Sequence, residues 1–229
     1  TEWSCQIGGT VATNASGARS FKYGATREYV QRLTVVLASG EIVNIRRGEY
    51  VSSDEGVIVI GETSIKIPTY DRPNVRKNVS GYFNAQPLDA IDLFIGSEGT
   101  LGVITELDLK IQPKPKFSRD ILLGFESLMQ LSPKVFEILA SGLVPATLEF
   151  FERDSMAYSE RALQLNFPDL SGQAFLLITL DDNAEQQLEN ELDYLASLSD
   201  EALILKDEQT RHAVWQLRGA IVSSVELES

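Results

Sequence analysis

Gly96, Gly99 and Gly102 stand three residues apart in DLFIGSEGTLGVITE, residues 92–106. Glycines at that spacing let the backbone turn sharply and leave main-chain N–H groups unshielded by Cβ atoms, a surface that a bulky ligand such as a nucleotide approaches closely. Ser97, Glu98 and Thr100 place polar side chains between them. Glu98 reads as an acceptor for neighbouring backbone N–H groups that shapes the turn, not as a catalytic base. A string earlier in the chain, CQIGGTVATNASGARSFKYG at residues 5–24, also carries clustered glycines. One glycine-rich turn is an ordinary loop in most proteins, whereas two long segments of this kind point to a shared ligand.

The remaining side chains offer little unaided chemistry. His212 is the single histidine, so neither a multi-histidine metal site nor a pair of histidine acid–base groups can be built, and the metal expectation is none. His212 itself reads as a surface or satisfied residue of a helix. The single Cys5 forms no internal disulfide and reads as a small buried apolar residue. Glu189, Glu191 and Asp193 read as a solvated helix face. Arg218, in AVWQLRGAI, has the planar fork that grips a carboxylate with two parallel hydrogen bonds. Read alone, it is a solvated helix residue making an (i, i+4)-type pair. Difficult chemistry here depends on a cofactor.

The two strings resemble the second half of the PCMH-type FAD-binding domain of the vanillyl-alcohol-oxidase kind of flavoenzyme. The match is to the subgroup of the glycolate oxidase flavin subunit, D-lactate dehydrogenases and D-2-hydroxyglutarate dehydrogenase. The likeness continues through RLTVVLASGEIVNIRRG (residues 32–48) and PNVRKNVSGY (residues 73–82), so it spans residues 1–115. It implies FAD as cofactor. The first string is expected along the ribityl chain and pyrophosphate, with Gly8, Gly9, Thr10, Asn14, Ser16, Gly17, Tyr23 and Gly24 as contacts. Relatives often carry glycine where Ser16 stands. The second string closes over the pyrophosphate and adenosine, through Glu98, Gly99, Gly102, Val103 and Ile104. AVWQLRGAI is similar to the WxxR segment that brings an arginine over the flavin, which implies that Arg218 binds the substrate carboxylate while Trp215 packs. Cysteinyl–flavin relatives have a different spacing before the glycines, so Cys5 is not read as an attachment point.

The resemblance further implies oxidation of a small 2-hydroxy acid to the 2-oxo acid, with hydride passing from Cα to flavin N5. The catalytic base is unknown and is expected in a histidine-bearing C-terminal segment that the sequence lacks. Electrons are expected to leave to quinone, an electron-transfer flavoprotein or another acceptor, since no GxGxxG fingerprint for nicotinamide is present. One alternative is a different chemistry on the same fold, such as the alkyl-glycerone-phosphate synthase branch. Another is a catalytically silent fragment or interaction module.

Composition narrows the partners. With 20 basic and 33 acidic residues the net charge is −13, which repels phosphate backbones and argues against nucleic acid or an anionic membrane. No apolar run approaches the ~20 residues of a spanning helix, and residues 1–3 do not begin a signal peptide, so no transmembrane segment is expected. The expected location is cytoplasmic, at most peripheral to an inner membrane.

These residues need elements to hold them. Residues 33–47 read as a hairpin around Ser39-Gly40, residues 56–61 as a further strand, and residues 30–37 and 91–95 as buried strands. Pro113 and Pro115 mark a boundary between a domain at 1–115 and one at 116–229. Beyond it, ILLGFES, LMQLSPKVFEILAS, ATLEFFE, a short helix at 155–165, AFLLITL, AEQQLENELDYLASL and EALILK give βαβ(α)βαβ, and residues 210–229 an amphipathic helix. The fold class is therefore α+β: a C-terminal FAD-binding subdomain followed by a ferredoxin-like antiparallel cap. The resemblance places an earlier βαβ subdomain before residue 1. The chain then reads as a fragment, expected to be free of flavin alone and open to self-association or a complementing chain.

Overall fold

The computed structural model of the protein describes residues 5–60, 63–68, 75 and 81–228. Gly61 and most of the 73–82 string lie outside the described residues. Two compact units are present: residues up to Gly17 with Gly24–Gln112 form one, and Ala18–Tyr23 with the residues from Pro113 onward form the other.

In the first unit, β1 (Val30–Val36) and β2 (Ile42–Arg46) form the hairpin read from the sequence, turning through Gly40 at φ +85°. A second hairpin joins β3 (Val57–Ile60) to β4 (Thr63–Lys66). The strand β5 (Val103–Leu109) pairs with the free side of β1, giving the antiparallel order β2-β1-β5. Val11, Val30, Leu33, Val35, Ile45, Ile91 and Ile95 make the core of this unit.

Two local readings change. Gly8 and Gly9 lie not in a turn but inside the short helix α1 (Ile7–Ala12). Residues 91–95, expected as a strand, form a helical turn, α3 (Ile91–Phe94). Leu88, Ile91 and Ile95 are all buried at helical spacing, and the Asp89 carboxylate accepts the Ile91 N–H at the start of that turn. The strand β5 is only half-buried. It alternates exposed and partly buried positions, with Ile104, Leu107 and Leu109 turned to the core.

In the second unit the elements are α2 (Ser20–Tyr23), β6 (Phe117–Phe125), α4 (Leu128–Ala140), β7 (Thr147–Glu152), α5 (Arg153–Leu163), β8 (Ala174–Asp182), α6 (Glu185–Ala196), β9 (Glu201–Leu205) and α7 (Glu208–Glu228). The sheet order is β7-β8-β6-β9 with every pair antiparallel, the ferredoxin-like arrangement. Alternation along the strands divides two cores. Ile121, Leu123, Leu176, Ile178 and Leu180 meet Leu131 and Ile138 of α4 and Leu188, Leu192 and Leu195 of α6. On the opposite face Leu122, Phe151, Phe175, Leu177 and Leu205 meet Met156 of α5 and Val214 and Leu217 of α7. Coverage of both faces is why β6 and β8 read as unbroken apolar runs instead of alternating ones.

Gly124 of β6 is held without a side chain by packing, because a Cβ there would stand 2.2 Å from the Ser171 carbonyl oxygen. Gly124→Ala is expected to lower the unfolding free energy by about 1–3 kcal/mol through overpacking. Denaturant melts of the two proteins measure this.

Candidate functional site

In the first unit the two glycine strings are brought together. The Gly96 N–H donates to the Val11 carbonyl at 3.1 Å and the Glu98 N–H to the Ala12 carbonyl at 2.8 Å. Asn14 is buried and adopts φ +46°. Its Oδ1 accepts the Arg27 N–H at 3.0 Å, and its Cβ lies where a Cβ on Gly96 would come within 3.1 Å. The Tyr82 and Thr100 hydroxyls share a 2.7 Å hydrogen bond beside the second string.

One residue that sequence reasoning missed holds this arrangement. Arg27 follows the first string, and its Nη1 donates to the Asp92 carboxylate at 2.9 Å and to the Asp92 carbonyl at 2.6 Å. Its Nη2 donates to the Ile95 carbonyl at 2.5 Å, so it caps the C-terminal end of α3 immediately before Gly96. The guanidinium lies 4.0 Å from the Phe83 ring centroid. Arg47 takes the other Asp92 oxygen at 2.8 Å and donates to the Arg27 carbonyl at 3.0 Å. Burial pushes the Arg27 guanidinium below its ordinary value, and the bond and charge of Asp92 oppose that shift. The sequence signal was available in DAID, two acids three apart within an apolar run.

The glycines divide by what occupies their missing side chains. At Gly8, Gly9 and Gly99 a Cβ would meet nothing within 4 Å. At Gly102 it would strike Val35 of β1 at 2.5 Å and the Val36 carbonyl oxygen at 2.8 Å, so that position is taken up by the fold; at Gly24 it would meet only the movable Glu28 carboxylate, and the left-handed φ of +79° is what favours glycine there. The Thr10 hydroxyl bonds back to the Gln6 carbonyl. Gly17 and Val103 are exposed, whereas Ser16 and Ile104 are half-buried. Glu98 is exposed at φ +52°, and its carboxylate takes no hydrogen bond from a described residue; the turn uses its N–H instead. Cys5 precedes α1 outside the core and is exposed, contrary to the buried position expected for it.

Tyr23 does not join this group. It belongs to the second unit, where its hydroxyl donates to Asp181 at 2.7 Å while Lys22 Nζ reaches the other Asp181 oxygen at 2.6 Å. Asp181 is the polar end of a sheet face whose other end is apolar. On that face Trp215 Nε1 donates to the buried Asp120 at 2.8 Å, the Thr147 and Thr179 hydroxyls bond at 2.7 Å, and Arg218 pairs with Glu149 of β7. Arg218 therefore has a cross-element acidic partner in place of the (i, i+4) pair considered above. His212 lies one and a half turns earlier on α7 and is exposed. Among the described residues no group of three or more His, Cys, Asp or Glu could hold a metal, and no helix is long and apolar enough to cross a membrane.

Comparison with known proteins gives two family matches. Residues 2–46 match the FAD binding domain family and residues 114–228 the FAD linked oxidases, C-terminal domain. Among curated proteins the chain is 35% identical to a D-lactate dehydrogenase of Anaerostipes hadrus, over 97% of this chain and 42% of that protein. It is 35% identical to the glycolate oxidase subunit GlcD of Bacillus subtilis, over 76% of this chain and 30% of that protein. Identity to the mitochondrial D-2-hydroxyglutarate dehydrogenase of Danio rerio is 30%, over 97% and 37%. The chain thus spans less than half the length of these relatives. A solved alkyldihydroxyacetonephosphate synthase shares the fold at TM-score 0.55 and 15% identity, over 94% of this chain and 37% of that one.

Two outcomes are expected from this geometry. Arg27→Met leaves Asp92 without one of its two cations and strips the cap from α3, which should destabilise the first unit by about 3–5 kcal/mol in chemical denaturation. At the start of α7, Asp207 accepts the Thr210 N–H at 2.7 Å, and that bond holds its carboxyl below the ordinary carboxylate range. A depressed value means the cap contributes above the unfolded pKa and is lost as pH falls through the folded one. Protection of the first-turn amides of α7, relative to their intrinsic exchange rates, should therefore fall on acidification below about pH 4, and Asp207→Ala should abolish that acid dependence.

Proposed function

The chain belongs to the FAD-linked oxidases, an oxidoreductase family whose cofactor is FAD, and from that premise we propose that it serves to oxidise a small 2-hydroxy acid to the 2-oxo acid. The observation that carries this reading is the joining of the two glycine strings by the Gly96–Val11 and Glu98–Ala12 hydrogen bonds, with open space at Gly8, Gly9 and Gly99. Such a surface fits a cofactor that lies against the main chain, and the left-handed backbone at Gly99, φ +78°, presents the turn without side-chain obstruction. In this proposal Gly8, Gly9, Thr10, Ser16, Gly17, Glu98, Gly99, Val103 and Ile104 line the cofactor. Asn14, Gly24 and Gly102 act by shaping that lining.

When bound, FAD supplies the two-electron acceptor for the hydride from the substrate Cα. Arg218 holds the substrate carboxylate through its fixed charge and planar donors. Trp215, bonded to Asp120, fixes α7 one turn earlier. The names of the relatives favour glycolate, D-lactate or D-2-hydroxyglutarate as the substrate class. A quinone or an electron-transfer flavoprotein is the acceptor class we favour.

The absorbance spectrum of the protein after incubation with FAD tests the reading. With FAD in excess, and with a complementing chain supplied where the protein alone stays colourless, flavin bands that bleach on adding one of the three hydroxy acids are expected; bands indifferent to all three, or none under either condition, would sink it. A sharper probe is Gly9→Val, because the position is helical and open. It should leave stability within about 1 kcal/mol of the parent yet weaken FAD binding by about tenfold or more. Unchanged affinity would remove Gly9 from the lining.

A further inference from the structure

Arg218 reaches Glu149 with one nitrogen only, Nη2 on Oε2, and its Nε and Nη1 have no partner among the described residues. Glu149 is the more deeply set of the two, with its side chain 18% exposed against 38% for Arg218. The pair joins α7 to β7. Its helix is fixed independently, since Val214 and Leu217 sit in the core beneath it and Trp215 bonds to Asp120.

We propose that Glu149 is a positioning residue for Arg218, holding the guanidinium by one nitrogen so that its remaining donors are presented to the carboxylate of the 2-hydroxy acid. The proposal rests on the reading of Arg218 given above. A free arginine side chain carries about 2 kcal/mol of rotamer entropy, and a carboxylate that already orders it lowers the cost of binding a second one. The opposite role, an internal competitor that substrate must displace, would call for a two-nitrogen grip and a carboxylate standing outside the guanidinium. The single-nitrogen contact and the deeper setting of Glu149 fit neither requirement. Charge also matters, because Glu149 leaves Arg218 formally paired. Selectivity then comes from the direction of its free N–H groups more than from net attraction.

The test uses the protein with its Arg218 side-chain Nε–Hε signal assigned by NMR, in the parent, Glu149→Ala, Glu149→Gln and Arg218→Leu forms. Relaxation of that signal reads the order of the guanidinium without any ligand. Titration with glycolate and with D-lactate reads affinity. Glu149→Ala should loosen Arg218 and weaken binding by about tenfold. Glu149→Gln keeps an acceptor oxygen for Nη2 and should restore most of the order and the affinity, which also serves if the alanine form fails to fold. Tighter binding in Glu149→Ala would make Glu149 a competitor, and unchanged order and affinity would make it a bystander; either overturns the proposal. If Arg218→Leu loses binding while both Glu149 variants retain order and affinity, this proposal alone fails. If Arg218→Leu binds as well as the parent, or the parent binds neither acid, the carboxylate role of Arg218 fails and takes the proposal with it.

Discussion

A partly exposed surface of glycine turns keeps a defined shape only if something rigid lies beneath it, and in the first unit that support is the Arg27–Asp92 interaction. Arg27 is bonded through its backbone to Asn14 of the first string and through its side chain to Asp92 and Ile95, in the second string directly before Gly96. Arg47 closes the cluster from β2's end by binding both Asp92 and the Arg27 carbonyl. Two arginines sharing one aspartate would be costly to bury if any donor were idle. Here nearly every polar atom is matched, and only the Arg27 Nε lacks a partner among the described residues. The planar fork is essential to this geometry, since a lysine ammonium could not serve two carbonyls and a carboxylate while lying against Phe83.

The second unit solves a different problem with one sheet face. Along β6, β7 and β8 that face passes from Phe151, Phe175 and Leu177 to Glu149, Thr147, Thr179, Asp120 and Asp181. Its apolar end is sealed by α5 and α7. Its polar end has each acid matched by a donor from another element. Asp181, its side chain almost wholly buried, draws Arg19, Lys22 and Tyr23 onto this face, which is why Ala18–Tyr23 belongs with the second unit although its neighbours on both sides belong with the first. A string that reads as one continuous cofactor-lining segment is therefore divided between two packing environments.

Much of this architecture was legible in the residues. The ferredoxin-like order followed from alternating periods of two and about 3.6, with Leu188, Leu192 and Leu195 marking the buried stripe of α6. Where the reading failed, a tertiary partner or a short element was responsible. Residues 91–95 are apolar enough for a strand, but Asp89 and Asp92 are consumed in capping and ion pairing that only the folded arrangement reveals. Gly8 and Gly9 argued for a turn by propensity, yet one turn of helix forms around them. Arg218 was singled out by its motif, whereas its partner Glu149 lies 69 residues away, and nothing in the local sequence of β7 distinguishes that acid from Glu152.

Glycines that look alike in a motif prove to have different reasons for being there. Gly102 is required by its neighbours, as a Cβ there would collide with Val35 and the Val36 carbonyl oxygen, and Gly24 by its left-handed φ of +79°. Gly8 and Gly9 have no such constraint, and each costs a helix roughly 0.5–1 kcal/mol relative to alanine. A sequence that keeps two consecutive glycines in a six-residue helix, where no described atom beyond their chain neighbours and the helix's own backbone lies within 4 Å of their missing side chains, carries a local penalty with no return inside the fold. Local rules are broken without internal compensation chiefly at functional sites. On that reasoning we propose that the return lies with a ligand that approaches the α1 backbone. Gly99 shares the same open surroundings on the hydrogen-bonded partner string, but its left-handed φ of +78° already favours glycine, which leaves Gly8 and Gly9 as the strongest part of the proposed cofactor surface.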